Sequence, residues 1–253
     1  MNRILAAFIF FTRLPFWRIK EVPAECFKTV VNYWSLIGWL TGGSMALSYV
    51  LSSYLLPQPL PILIALIVRI LLTGGLHEDG LADFFDGFGG GRNKAQTLAI
   101  MKDSFIGSYG VLSLILYYLL FYTLMQQIPS AILPSLLIAG DAWSKFSASQ
   151  LINRLPYARK EEESKAKVIY NRMSISTFLR SLVFGAIPLV LLPLSYIGAI
   201  IAPLLLFFIL SQWMKNRLKG YTGDCCGATF LLCELSFYIA VVAILHLHPL
   251  IIL

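Results

Sequence analysis

Charge is scarce in this chain. Asp, Glu, Lys and Arg together make up 13% of its 253 residues, about half of what a soluble domain carries. Fifty-eight per cent (58%) of the residues are hydrophobic, and the mean hydropathy is +0.75. The shortage excludes an ordinary soluble domain and predicts an all-α integral membrane protein, with residues 1–253 forming one polytopic, membrane-embedded domain. Cysteine is sparse too. Among Cys26, Cys225, Cys226 and Cys233 there is no CxxC pair, and no histidine stands near them at zinc spacing. That leaves neither a zinc module nor a disulfide framework, and thiols facing a reducing cytoplasm are expected to stay free. The net charge of +7 invites a nucleic-acid partner, but no nucleic-acid motif accompanies it, and the basic residues sit in short loops between apolar runs. That is the positive-inside pattern of a membrane protein, so no nucleic acid is expected. No internal repeat stands out.

The absences of charge also map the topology. No Asp, Glu, Lys or Arg occurs at 29–68, 104–140, 181–214 or after 234. Each of the first three gaps holds two spans of roughly twenty residues, or slightly shorter ones. Turn residues lie near the middle of each: Pro57-Gln58-Pro59, then Gln126-Gln127-Ile128-Pro129, then Leu192-Pro193 with Ser195 and Gly198. The last gap holds one span. The prediction is a bundle of about seven transmembrane helices, at 30–55, 61–76, 105–126, 131–150, 177–194, 197–213 and 227–246. Five helices with a re-entrant pair is the alternative, because the third gap is the tightest. The charged connections, including the N-terminus, then share one side, and their excess of Lys and Arg makes that side cytoplasmic. The uncharged turns and the His246-Leu247-His248 tail would face outward. Residues 1–20 interleave aromatics with Arg3, Arg13, Arg18 and Lys20 and are too short in apolar length to span. They are expected to form an interfacial helix on the inner surface, not a signal peptide. Arg69, Asp141, Lys145 and Glu234 fall within predicted spans, where they either pair with one another or contact substrate.

Where charge does occur, it is concentrated. Glu78, Asp79, Asp83 and Asp86 are four of the thirteen carboxylates, gathered within nine residues. On a helix advancing about 100° per residue, Asp79, Asp83 and Asp86 share a narrow face and Glu78 falls about 100° away. Like charges so placed repel unless a cation sits against them, and hard oxygen ligands suit magnesium, manganese or calcium. In a soluble protein such acids are usually solvated or paired. Here they abut a membrane-type segment, where ionisable groups tend to be functional. Gly89, Gly90, Gly91 and Arg92 follow at once, as a glycine-rich loop whose backbone could approach phosphate closely. Carboxylates, metal and phosphate cradle together point to phosphoryl transfer.

Further polar patches fall on the same predicted side. Lys102 is placed beside the acidic cluster, to contact phosphate or pair with a carboxylate, and Asp103 is a helix cap or a site residue. Tyr157 and Arg159, directly after Pro156 in the mixed-sign loop 153–165, are candidates for substrate contact. Lys219-Gly220-Tyr221-Thr222-Gly223-Asp224 is a tight polar turn whose Asp224 is read equally as a helix cap, an extra ligand or a substrate acceptor.

Taken in order, these motifs resemble a known family. Phe-Phe-Thr-Arg-Leu-Pro at 10–15, Gly-Gly-Leu-His-Glu-Asp-Gly-Leu-Ala-Asp at 74–83 with Asp86-Gly87, Ile-Met-Lys-Asp-Ser at 100–104, Leu-Pro-Tyr-Ala-Arg at 155–159 and Gly-Tyr-Thr-Gly-Asp at 220–224 are similar to those of the cobalamin synthases, the adenosylcobinamide-GDP ribazoletransferases. The resemblance covers nearly the whole chain. It implies an enzyme of nucleotide-loop assembly in the inner, cytoplasmic membrane of a bacterium or archaeon, with the active site facing the cytoplasm. A ribose hydroxyl of α-ribazole, or of its 5′-phosphate, would attack the phosphorus nearer cobinamide in adenosylcobinamide-GDP and expel GMP. Magnesium is the implied cofactor, held by Asp79, Asp83 and Asp86. Gly89, Gly90, Gly91 and Arg92 would hold phosphate oxygens, and Lys102 would neutralise charge on the departing GMP. Asp86 and Asp103 are candidate bases, whereas His77, about 160° from Asp79, would need the helix to break near Gly80. A homo-oligomer and association with other enzymes of nucleotide-loop assembly also fit the resemblance. Glu78 and Asp141 depart from the family pattern, and neither is taken as a first-rank site residue.

The spaced aspartates are also similar to the metal-binding helix of CDP-alcohol phosphotransferases. That comparison is one of chemistry, and it keeps open a phosphotransferase with another alcohol acceptor. A transporter remains the rival from a different class. It predicts discontinuous helices at the bilayer midplane and repeats across the two halves.

Overall fold

Most of each charge-free stretch folds as helix, and Pro57, Pro59, Pro129 and Pro193 stand where these stretches break. The structure, a computed structural model, describes residues 1–159 and 168–251, with side chains described as far as Leu247. Residues 160–165 of the mixed-sign loop and the side chain of His248 lie outside the described residues. Among the described residues there is no strand, only one isolated bridge between Tyr157 and Tyr221.

Helix α1 spans Asn2–Phe11, and a 3₁₀ segment, Ala24–Tyr33, leads directly into α2, Trp34–Ser53. Then come α3 (Leu60–Thr73), α4 (Leu76–Gly90), α5 (Lys94–Lys102), α6 (Ser108–Gln127) and α7 (Leu133–Ser149). Short α8 (Leu151–Arg154), α9 (Ile175–Ala186), α10 (Ile201–Leu218) and the long α11 (Gly223–Ile251) complete the chain. Pro61 and Pro134 lie in the first turns of α3 and α7, where the missing N–H is no loss.

Helix α7 is the axis of the bundle: every residue from Ala139 to Ser149 is buried. Helix α2 reaches it closely through small residues. A methyl added at Gly38 would stand 2.6 Å from Ala142 Cα, and one at Gly42 would stand 2.8 Å from Ile138 Cα. Bare glycine faces let the backbones approach, the usual device where helices cannot rely on a hydrophobic drive between them.

The interior charges pair with one another. Arg69 donates to both Glu234 oxygens at 2.8 and 2.7 Å and to Tyr117 Oη at 2.5 Å, and Tyr117 donates back to Glu234 at 2.8 Å. Lys145 bonds Asp141 and donates to Thr41 Oγ1 at 2.7 Å, with its ammonium 4.1 Å from the Phe230 ring centre. Each of these charges pairs with an opposite one, as buried charges must, and all four are fully buried; they do not open onto a pathway of the kind the transporter reading requires.

Among the described residues, three helical runs are long and apolar enough to cross a membrane: Ser108–Gln127, Leu194–Leu218 and Gly223–Leu247. A fourth is added if α3 and α4, bent by 89°, form one broken span. This count is lower than the seven expected, although each of the seven segments is helical. The physical reason lies in where helices pack. Helix α7 has 17 residues and is covered by its neighbours, and α9 with its 3₁₀ continuation reaches only from Ile175 to Leu191. A helix surrounded by protein can be shorter and more polar than one facing lipid.

Candidate active site

Two glycines set the site. Gly74 and Gly75 both take left-handed backbone, with φ of +67° and +70°, a conformation that costs other residues about 1 kcal/mol or more. They turn the chain between α3 and α4 and bring the acidic helix across the end of the bundle. The first turn of α4 carries Asp79, and the first turn of α11 carries Asp224. Both carboxylates thus lie at the positive end of a helix dipole. The two helices cross at bare glycine. A methyl on Gly80 would stand 3.0 Å from the Asp224 carbonyl oxygen, and one on Gly227 would stand 3.2 Å from that of His77.

The crossing produces a carboxylate cluster. Among the described residues, one oxygen from each of Asp79, Asp83 and Asp224 falls within 4.8 Å of the others. Asp79 is exposed, and Asp83 and Asp224 are half-buried, so the cluster opens to solvent. Three hard oxygen donors at a solvent-accessible mouth fit a magnesium-type ion that keeps water and takes phosphate as further ligands.

Beside the cluster lies a cavity of about 110 Å³ that Asp79 and Asp224 help to line. Its wall opposite α4 is fixed by backbone pairing: Ala158 N–H donates to the Tyr221 carbonyl at 2.8 Å, and Tyr221 N–H donates to that of Pro156 at 3.0 Å. This short pairing sets Tyr157 and Arg159 on the cavity wall. Arg159 is anchored by a bond to the Leu98 carbonyl at 2.9 Å, and the Tyr157 and Tyr221 rings meet edge to face at 5.3 Å. Burial pushes the phenols of Tyr170 and Tyr221 well above their ordinary pKa; Cys226 and Tyr157 add to the shift of each. Both remain protonated at any working pH.

The structure separates the third expected ligand from the other two. Asp86 is turned toward α6, where its two oxygens accept the backbone N–H groups of Gly107 at 2.7 Å and Gly110 at 2.8 Å. It satisfies donors at a helix start that have no partner within the helix, and that engagement leaves it outside the cluster. The face shared by the three aspartates is real, but neighbours on different sides claim its two ends. Asp224 completes the cluster instead. The sequence signal for it was the turn 220–224, which had marked Asp224 without saying which role it served.

The expected phosphate loop is also different. Gly89 and Gly90 are the last residues of α4, and Gly91 caps it with its N–H bonded to the Gly87 carbonyl at 2.9 Å. A helix C-terminus offers carbonyl oxygens, not N–H groups, so this segment does not form an anion cradle. Its glycines serve packing: a methyl at Gly89 would meet the Tyr109 ring at 2.7 Å, and one at Gly91 would meet Thr97 Cα at 2.7 Å. The Gly91 carbonyl accepts from Arg217. Arg92 is exposed, and its N–H donates to Gln96 Oε1 at 3.1 Å. Lys102 and Asp103 are exposed at the end of α5, where Asp103 accepts the Phe105 N–H at 3.1 Å in a local turn.

Glu78 points into the bundle, off the aspartate face, 3.8 Å from Arg69 Nη2. His77 lies on the cavity side without any break at Gly80, buried against Phe11, Trp34 and Phe230. Sequence reasoning had no means of finding the partnership of Phe11, Trp34 and His77. The two aromatics belong to apolar runs that read as core, and only the fold brings them to the cavity.

Comparison with known proteins agrees with the motif order. A sequence model of the cobalamin-5-phosphate synthase family matches residues 3–242. The adenosylcobinamide-GDP ribazoletransferase of Shewanella amazonensis is 36% identical over 246 residues, covering 94% of each chain. That of Shewanella piezotolerans is 37% identical over 246 residues with the same coverage. That of Leptospira interrogans is 35% identical over 251 residues, 95% of this chain and 94% of its own. No solved structure matches the chain. With a family match over nearly its full length and relatives above 30% identity end to end, the chain belongs to the cobalamin-5-phosphate synthase family.

Proposed function

We propose that this protein is an adenosylcobinamide-GDP ribazoletransferase acting in the cytoplasmic membrane, with Asp79, Asp83 and Asp224 as its metal-binding carboxylates. In the proposed reaction a ribose hydroxyl of α-ribazole, or of its 5′-phosphate, forms a bond to the phosphorus nearer cobinamide. The bond from that phosphorus to the GMP oxygen breaks, GMP leaves with the electron pair, and the hydroxyl proton passes to a nearby carboxylate or to solvent. The observation that carries this reading is the convergence of three carboxylates from two crossing helices within 4.8 Å, two of them, Asp79 and Asp224, also lining a cavity.

The donor set suits magnesium, which when bound would neutralise the diphosphate and stabilise charge on the oxygens of the transferred phosphoryl group. The remaining tasks belong to the chain. Arg159, held by the Leu98 carbonyl, presents a fixed positive charge at the cavity wall, where it would orient a phosphate oxygen. Tyr157 would contact the acceptor nucleoside from the same wall. Asp86 is assigned to holding the start of α6 and not to proton transfer, because both its oxygens are engaged by backbone. A cytoplasmic placement of the site is supported by the basic residues Arg3, Arg13 and Arg18 on the N-terminal segment, whose Arg13 N–H donates to the Leu72 carbonyl beside the α3–α4 turn at 2.7 Å.

The test is to incubate membranes carrying the protein with GDP-cobinamide, α-ribazole and magnesium. GMP release is expected only when both organic substrates are present, and Asp83→Ala is expected to abolish it while the amount of protein in the membrane stays the same. GMP release independent of ribazole, or full turnover by the Asp83→Ala variant, would refute the assignment.

A further inference from the structure

Two polar side chains lining the cavity have buried nitrogens with no hydrogen-bond partner among the described residues. His77 is 2% exposed and Trp34 is 1% exposed, yet both imidazole nitrogens of His77 and Trp34 Nε1 lack any partner among the described residues. Both residues line the cavity beside Asp79 and Asp224. Buried donors are nearly always satisfied, and leaving one unsatisfied is costly, so the pair marks a place where a ligand group belongs. Their surroundings describe that group. Phe11 and Trp34 stack at 5.2 Å with planes 7° apart, and the His77 ring lies 5.6 Å from Trp34 at 23°. The cavity, of about 110 Å³, is several times what one water needs and below the range of a whole nucleotide or macrocycle.

We propose that this cavity is the seat of the acceptor's aromatic base, with His77 as its specificity-determining residue: a fused-ring azole slides against Trp34, and an N–H of His77 donates to its free imine nitrogen. The inference rests on the ribazoletransferase reading, because it places the base of that acceptor so that the attached ribose emerges toward Asp79 and Asp224. Guanine, the base of the other substrate, suits the cavity less. It carries several donors and acceptors that would need partners on the aromatic side of the cavity formed by Phe10, Phe11, Val31 and Trp34, whereas a benzimidazole carries one acceptor and is otherwise apolar.

The test reads binding without turnover. The full chain in lipid nanodiscs is titrated with free 5,6-dimethylbenzimidazole, with neither metal nor corrinoid, while tryptophan fluorescence is followed. The chain has five tryptophans, so Trp34→Phe identifies the signal. Quenching in the wild type that disappears in Trp34→Phe is expected. The imine nitrogen is tested on the unaltered protein with 5,6-dimethylindole, which lacks it and is expected to bind about tenfold more weakly. His77→Phe is expected to bind the two compounds equally, and His77→Gln, which keeps an N–H donor, to recover part of the preference. In turnover, His77→Phe is expected to raise KM for α-ribazole about tenfold and leave KM for GDP-cobinamide unchanged. Equal binding of benzimidazole and indole by the wild type, absence of Trp34 quenching, or displacement of the base by guanosine would each overturn the proposal. Because base binding needs no catalysis, it stands if GMP release fails, and it falls alone if GMP release succeeds without it.

Discussion

Replacing Gly80 by alanine tests whether the site is built by the crossing of α4 and α11. The new methyl would stand 3.0 Å from the Asp224 carbonyl oxygen and 3.1 Å from its Cα, both backbone atoms that no rotamer change can move. Ordinary contact needs about 3.5 Å or more, so the start of α11 must retreat by about 0.5 Å. The stability effects largely offset each other. Alanine gains about 1 kcal/mol of helix propensity over glycine, and overpacking costs about 1–3 kcal/mol, so the fold survives with a loss of roughly 0–2 kcal/mol. The site is more sensitive. A misplacement of about 1 Å costs on the order of a hundredfold in rate, so half of that predicts about a tenfold loss of turnover. The magnesium requirement should rise with it, because the ion accepts little departure from octahedral geometry. The assay is GMP release across a magnesium titration beside thermal unfolding in detergent. Gly43→Ala in α2 is the control, since nothing among the described residues lies within 4 Å of its added methyl; it should leave turnover unchanged. Wild-type turnover and metal requirement in Gly80→Ala would refute the idea that this close approach holds the carboxylates together.

Other perturbations separate architecture from chemistry. Glu234→Gln removes the nearer of the two carboxylates around the buried Arg69 guanidinium, leaving Glu78 at 3.8 Å, and should lower stability by about 2–4 kcal/mol, read as a fall in the unfolding midpoint. Asp86→Asn keeps one acceptor for Gly107 or Gly110 and should lose about 1–2 kcal/mol of stability, while GMP release per folded molecule persists. Stability should also fall as pH rises past the ordinary tyrosine value of about 10. Above it the unfolded chain releases protons that buried Tyr170 and Tyr221, with pKa values raised by burial, still hold. Phenolate absorbance is the check, and these two tyrosines should ionise only as the protein unfolds.

Much of this molecule was legible in its residues. The gaps between charges located the apolar helices, because helices can hide backbone polar groups in an apolar medium, but not α5, which lies in a charged connection. Span number was less legible: a short polar helix such as α7 is possible because its neighbours cover it, and coverage is a tertiary fact. The aspartate face of α4 followed from helical periodicity, and Asp79 and Asp83 do meet. Periodicity alone says nothing about what packs against each end of that face, so it could not reveal that Gly107 and Gly110 claim Asp86 while Asp224 arrives from a helix some 140 residues away. The same limit explains Gly89, Gly90 and Gly91. A glycine run reads alike as a loop that admits a ligand or as a helix face that admits another helix, and here Tyr109 and Thr97 occupy the space.

The central claim is that Asp79, Asp83 and Asp224 share a divalent cation, and manganese binding followed by electron paramagnetic resonance measures it most directly. Wild-type protein and Asp86→Asn should take up Mn²⁺ with the same affinity, and Asp224→Asn should bind it at least about tenfold more weakly through the loss of a charged ligand. Unchanged affinity in Asp224→Asn together with lost affinity in Asp86→Asn would return the ion to a site this structure does not form.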